Sequence, residues 1–509
     1  SFTKDRNYEI YVDKTELLKY LNRAIGTPGN CIAVSHARRF GKSHAAGMID
    51  AYYSLGSDSA KLFKGTKIAS DPDYEKYRNK YNVIHLDISS FWDFHKKDIV
   101  EKIIEDIFKE LKMDYPEEFN ERDRISYVLI KIYEKTGIPF VIIIDEWDCV
   151  VRNSTDQDLI HQYLQFLHSL FKSEESKSFL ALGYITGIMP IKKIKDESAL
   201  NNFEEYTMLK SRPITKYYGF TEEEVKALCK RYDMDFETTK EWYNGYLIDG
   251  MHMYNPNSVS QAMKYHDFDS YWRNTSAFGT INNFIMMNYS GLKEDVLTML
   301  SGGKVMVDTE CFQNDLAEIH SKDDALTALI HLGYLGYDAD MLSAYIPNYE
   351  VAKAFQSALK TGEWKDVAAS ISKCDTLLMA TISGNTEKVA ELIELAHDTY
   401  TSILKYNDEN SLSCVLTMAY FTAPAYYTII REMPAGKGFA DFVFLPRANA
   451  GNRPAMIVEL KYNQSADTVI RQIKEKRYQG ALSGYESKIL LVGISYDSEK
   501  HHTCSIEEW

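Results

Sequence analysis

Four acids and two lysines stand in contexts that suit phosphate chemistry. Gly41, Lys42 and Ser43 end the run HARRFGKS, between the apolar segment CIAVS (31–35) and the helical pattern AAGMIDAYY. A strand-to-helix turn ending in Gly-Lys-Ser offers backbone N–H groups, an ammonium and a hydroxyl to nucleotide phosphates and their magnesium, at the positive end of a helix. His36 replaces the first glycine of the GxxxxGK[ST] pattern, where glycine normally permits an unusual backbone turn. Arg38 and Arg39 are cations for phosphate contacts or for an acidic partner. About 100 residues later the apolar run IIIDE (142–146) ends in Asp145 and Glu146. In P-loop ATPases the first such acid helps to hold magnesium and the second orients or activates the attacking water, so these roles are assigned to Asp145 and Glu146. Thr186, ending the next apolar run, is either a contact to the terminal phosphate or a plain polar residue at a strand end.

The second set lies near the end of the sequence. Residues two apart on a strand share a face, so Glu459 and Lys461 in AMIVELKY (455–462) point together while Leu460 turns away. Asp441 begins the neighbouring strand pattern after the turn PAGKG, and a hairpin of that length brings it near Glu459. Two carboxylates converging on a divalent cation, with a lysine to position or deprotonate water and stabilise the transition state, are what metal-assisted phosphodiester hydrolysis requires. Glu409 and Glu432 are further acids, each read first as a solvated surface group. Lys474, Lys476 and Arg477 are candidate phosphate contacts whose default reading is a solvated helix face.

These residues need elements that hold them. CIAVS, NVIHLDIS (82–89), PFVIIIDEWD (139–148) and LALGYITGI (180–188) read as strands, separated by helical patterns at about Lys97–Leu111 and Asp123–Thr136. Such alternation predicts a parallel α/β sheet. From GFTEEEV (219–225) to about residue 400 the pattern is mostly helical, ending in a long amphipathic stretch over 382–406. The last block reads helix, three strands, helix, strand. The expected division is a P-loop domain over 1–214, a helical middle over 215–408 and a restriction-endonuclease-like α/β domain over 409–509.

In order along the chain stand YVDKTELL, ARRFGKS, IIIDEWD, YITGI, GFTEEEV, WYNGYLI, MYNPNSV, YWRNTS, HLGYLGY and YIPNYEV. Together they resemble the bacterial AAA-ATPase-like family whose members typically carry a PD-(D/E)XK nuclease domain at the C-terminus. The resemblance covers nearly the whole chain. Its usual phosphate loop reads proline–arginine–arginine–phenylalanine–glycine–lysine–serine; here Ala37 stands at the proline position. The resemblance implies a nucleotide set of Arg38, Arg39, Phe40, Gly41, Lys42, Ser43, the adjacent His44, and Asp145, with Ser43 and Asp145 serving magnesium. It implies a nuclease set of Asp441, Glu459, Lys461 and Gln472, the first two holding Mg²⁺ or Mn²⁺, with Tyr478 a frequent neighbour. The aromatics of WYNGYLI and MYNPNSV read as core around turn residues Asn244-Gly245 and Asn255-Pro256.

Composition narrows the field. Of 509 residues, 45% are hydrophobic and 26% charged, which suits globular domains. The formal net charge is −15, yet 409–509 is balanced, with 11 Lys plus Arg and 11 Asp plus Glu. A protein coated in basic surface is excluded. The seven cysteines lie at no metal-ligand spacing, so a zinc site or disulfide framework is not expected. No apolar run is long enough to span a bilayer and no signal peptide is read, so the expected location is cytoplasmic. The expected partners are ATP and either DNA or RNA, without a membrane, and a homo-oligomer is compatible. The expected function is an ATPase coupled to a metal-dependent nuclease, with nucleotide binding gating cleavage; the alternative is a nucleotide-switched signalling or scaffold protein whose nuclease-like domain only binds.

Overall fold

The computed structural model describes residues 2–509 except 117–122, 192–199, 272–276, 288, 311, 313–318, 362–363, 405–408, 436–437, 448–449, 477–481, 483–487 and 500. The chain forms two compact units, one of Ser1–Asp269 with Met306–Pro347, the other of Ser270–Val305 with Asn348–Trp509. The expected middle region, 215–408, is thus shared between them.

The first unit is built on β1 (Cys31–Ser35), β2 (Asn82–Asp87), β3 (Phe140–Asp145), β4 (Leu180–Gly187) and β5 (Glu204–Thr207). They form one parallel sheet in the order β2-β3-β4-β1-β5. β1, β3 and β4 are buried along their whole length, as an apolar run in a parallel sheet requires. Alternate residues face opposite ways. Ile32, Val34, Val141 and Ile143 pack with helix Lys42–Tyr53, while Ala33, Ile142 and Ile144 pack with helices Ile99–Asp114, Ile125–Thr136 and Gln157–Phe171. β2 stops at Asp87 rather than running to residue 89, because the Asp87 side chain accepts from Ser89 N–H and caps helix Ile88–Phe94. β5 is a short edge strand with Glu204 exposed and Glu205 half-buried, and its sequence carried no apolar signal.

The middle stretch is helical with small hairpins. β6 (Phe220–Thr221) leads into helix Glu222–Tyr232 through a capping box between Thr221 and Glu224. WYNGYLI contains β7 (Tyr246–Ile248) and MYNPNSV starts within β8 (Met251–Tyr254), and the two strands form an antiparallel pair. The core assignment of their aromatics holds: Trp242, Tyr243, Tyr246 and Tyr254 are fully buried. β9 (Val305–Met306) is a two-residue strand, and β10 (Gly336–Asp338) pairs antiparallel with β11 (Ser343–Tyr345).

The second unit ends in a mixed sheet of β12 (Tyr427–Ala435), β13 (Gly438–Pro446), β14 (Ala455–Tyr462), β15 (Ile489–Tyr496) and β16 (His502–Glu508), in that order. Only the β14–β15 pair is parallel, and helix Ala466–Glu475 makes that crossover. The helix lays Val469, Ile470 and Ile473 on Ala455, Ile457 and Leu491. Helix Glu409–Ala419 precedes the sheet, and the long expected helix spans Thr386–Leu404. β16 went unread in the sequence: it is an edge strand whose one buried position is its first residue, His502, rather than an aliphatic residue.

Candidate functional site

In the first unit β4 lies between β1 and β3, so the loop after β1 and the ends of β3 and β4 meet at the carboxyl edge of the sheet, the usual ligand edge of such sheets. The loop turns through two left-handed residues, Arg39 (φ 68°) and Gly41 (φ 92°), and Gly41 delivers the chain into helix Lys42–Tyr53. His36 is absent from the positive-φ residues, so the glycine it replaces is not needed there. Its imidazole instead ties the loop down. Ser211 Oγ gives its proton to Thr207 O at 2.6 Å, so His36 Nε2–H donates to Ser211 Oγ at 2.5 Å. Burial pushes this imidazole down to about 3, and it is neutral.

Lys42 is buried, and its Nζ donates to Ala37 O at 2.9 Å, closing the loop on itself. Loss of hydration pulls the ammonium down to about 8, while Glu146, Asp145 and Asp148 act in the opposite direction. Asp145 is buried at the end of β3 and accepts from the Thr186 hydroxyl and, at 3.1 Å, from Glu146 N–H, both on Oδ1. Thr186 therefore holds the first acid from the adjacent strand. Glu146 sits at φ 52°, a left-handed conformation costing a non-glycine residue on the order of 1 kcal/mol. That turn carries its carboxylate to Arg152, whose Nη2 lies 3.3 Å away.

The other expected loop residues separate. Ser43 is exposed at the helix start, and Arg38 and Arg39 are exposed. Phe40 is buried: its ring packs edge-on against Tyr246 at 5.1 Å, and its carbonyl accepts from Gly219 N–H at 3.0 Å. Its backbone alone remains for a nucleotide. His44 is exposed, with Nδ1 2.8 Å from Asp5 Oδ1. Arg152 and Asp148 are the residues that reading the sequence for motifs missed. Their i,i+4 spacing in DCVVR, directly after the acid pair, was the available signal.

In the second unit Asp441 on β13 and Glu459 on β14 lie one register step beyond the antiparallel pair Phe442 and Val458, Asp441 just before Phe442 and Glu459 just after Val458. Asp441 Oδ2 accepts from Leu460 N–H at 3.0 Å, which fixes its carboxylate beside β14. Lys461 Nζ lies 3.2 Å from Glu459 Oε2 and 3.7 Å from Asp441 Oδ2, so one ammonium gathers both acids. Glu459 is 2% exposed, and burial first, then the Asp441 charge, raise its carboxyl to about 7; Lys461 and Lys476 oppose this. Its Oε1 is buried without a hydrogen-bond partner among the described residues. An orphaned carboxylate oxygen beside a second carboxylate suits a hard divalent cation, which needs only one or two carboxylates when water and phosphate complete its shell.

Gln472 lies on helix Ala466–Glu475 and donates through Nε2 to Gln464 Oε1 at 3.0 Å, not to an acid of the pair. Lys474 is paired with Glu507. Glu432 is exposed at the surface of β12. Arg477 and Tyr478 lie outside the described residues, as does the side chain of Glu409. Among the described residues no cluster of three or more His, Cys, Asp or Glu is arranged to hold a metal, and no helix is long and apolar enough to cross a membrane.

Comparison with known proteins meets both sites. Residues 1–195 match the family model described as predicted AAA-ATPase, and residues 407–509 match that described as PD-(D/E)XK nuclease superfamily. The chain is similar to the "Uncharacterized protein in vnfD 5'region" of Azotobacter chroococcum mcd 1, 24% identical over 272 residues, 52% of this chain and 50% of the relative. It thus spans about half the length of the curated relative it matches. A solved structure of the Aeropyrum pernix ORC2 protein in ADPNP–ADP complexes covers 69% of this chain and 95% of its own, at 10% identity and a TM-score of 0.32, a likeness too low to carry an argument.

Proposed function

For a chain that joins a predicted AAA-ATPase segment to a PD-(D/E)XK nuclease superfamily segment, we propose an ATP-binding protein, hydrolysing ATP, coupled to metal-dependent cleavage of nucleic acid. The observation that carries the nuclease half is the Asp441–Lys461–Glu459 cluster. Asp441 and Glu459 would hold Mg²⁺ or Mn²⁺, which when bound supplies a Lewis acid and an acidified water. Lys461, released from the carboxylates, positions that water against the scissile phosphorus and balances the growing negative charge. Glu459 must lose its proton before it can hold a cation, so burial at this position makes cation binding pH-dependent.

In the other half, the Gly41 turn and the start of helix Lys42–Tyr53 receive the phosphates, and Lys42 exchanges Ala37 O for a phosphate oxygen. Ser43 and Asp145 would hold the magnesium that accompanies ATP, Thr186 fixes Asp145, and Glu146 takes the proton of the attacking water. Arg38 and Arg39 meet the outer phosphates. His44, bonded to Asp5, and Gln472, bonded to Gln464, have supporting parts only.

The test is cleavage of plasmid DNA and of an RNA pool with Mg²⁺ or Mn²⁺, with and without ATP, by the native chain and Asp441→Ala. Cleavage that Asp441→Ala abolishes, with ATP binding unchanged, is expected. Failure to cut any form by a chain that binds ATP refutes the nuclease half. That outcome selects the second reading, a nucleotide-switched scaffold whose C-terminal sheet only binds, which the balanced charge of 409–509 favours.

A further inference from the structure

Between the ends of β3 and β4, Asp148 and Arg152 form a buried charged pair that touches Glu146. Asp148 is fully buried and Arg152 nearly so, with 1% and 8% of their side chains exposed. Arg152 Nε donates to Asp148 Oδ2 at 2.8 Å, while its Nη2 reaches Glu146 Oε2 at 3.3 Å. The same Asp148 Oδ2 accepts from the backbone N–H groups of Ile188 and Met189, at 3.1 and 2.9 Å. These residues directly follow β4, whose Thr186 bonds Asp145. Space is tight there: a Cβ on Gly187 would stand 2.6 Å from Trp147 Nε1 and 2.8 Å from Asp148 Oδ1.

Burying a charged pair is costly, and replacing both members by apolar groups is often neutral or stabilising. Stability alone does not explain an arginine whose second nitrogen faces a partly exposed acid. Glu146 itself is held in a left-handed turn with 32% of its side chain exposed, and among the described residues Arg152 is the cation that pairs directly with its carboxylate. We infer that Arg152 is a positioning residue for ATP hydrolysis: anchored through Asp148 to the backbone after β4, it aims the Glu146 carboxylate at the attacking water.

The inference rests on the hydrolytic reading of the nucleotide site. In that step the water oxygen bonds to the γ-phosphorus as the bond to the β,γ-bridging oxygen breaks. The electron pair leaves on ADP, and the water proton passes to Glu146. A carboxylate displaced by an ångström loses much of this assistance without weakening ATP binding, because the side-chain hydrogen bonds of Arg152 among the described residues go to Asp148 and Glu146 and not to the phosphate loop.

The experiment measures MgATP hydrolysis and the affinity for a non-hydrolysable ATP analogue in the full chain, Arg152→Gln and Arg152→Lys. Arg152→Gln is expected to lower kcat by about 10- to 100-fold with KM and analogue affinity within about twofold, and Arg152→Lys to recover part of the loss. If Arg152→Gln does not fold, the double variant Asp148→Asn/Arg152→Gln removes both charges together and carries the same expectation. A folded variant with native kcat, or a loss confined to KM, overturns the inference while leaving hydrolysis intact. A native chain that binds the analogue but never turns over ATP overturns the hydrolytic reading and this inference together.

Discussion

Replacing Glu459 by glutamine should stabilise the metal-free protein at alkaline pH and hardly change it at pH 5. The Glu459 carboxyl rises from the ordinary 4.5 to about 7 because it is buried and faces Asp441. The native state therefore keeps a proton that the unfolded chain has already released between those two values. With more protons bound to the native state, stability falls as pH rises through the window. At about 1.4 kcal/mol per unit, the ionised, buried Glu459 costs roughly 3 kcal/mol above pH 7 and under about 1 kcal/mol at pH 5. For a unit of this size that corresponds to roughly 6–12 °C in Tm. Glu459→Gln keeps the shape and removes the charge. Thermal melts of the native chain and Glu459→Gln in chelator, at pH 5 and pH 8.5, read the difference directly. A gain near the full value at pH 8.5, shrinking at pH 5, is expected. Saturating Mn²⁺ should reverse the order, because only the native pair binds it. An equal shift at both pH values, or a glutamine variant less stable at pH 8.5, would refute the claim that burial holds this proton.

Lys42→Met should abolish binding of an ATP analogue in a titration. It should also stabilise the nucleotide-free chain at pH 7, since burial lowers the ammonium to about 8 and its charged form costs roughly 3 kcal/mol there, a gain fading toward pH 10. Gly245→Ala should destabilise the first unit by more than about 3 kcal/mol in denaturant melts, because the added Cβ would lie 1.8 Å from Pro347 O at a residue with φ 110°. Asn255→Ala should cost about 1 kcal/mol in the same assay, since the Asn255 side chain accepts from Asn257 and Ser258 N–H to cap helix Pro256–Tyr265.

Much of this protein was legible because its signals are local. An apolar run ending in Asp145-Glu146, a glycine–lysine–serine turn before a helix, and Glu459 and Lys461 two apart on a strand each fix their own geometry through the backbone period. Alternation of strands and helices gave the parallel sheet for the same reason. The motif WYNGYLI marked a turn by composition, but only folding showed that Gly245 is pressed against Pro347, about a hundred residues away in sequence. His36 stood as a missing glycine until Ser211 appeared beside it. The order β2-β3-β4-β1-β5, which sets Thr186 beside Asp145, depends on non-local pairing that no window of sequence contains. β5 and β16 escaped notice because edge strands are not obliged to be apolar. Charge balance is likewise a tertiary matter. Sequence named the acids, but burial and close approach decided that Glu459 keeps its proton to about 7 and that Arg152 engages Glu146. Desolvation and Coulomb energies depend on distances that exist only once the chain has folded.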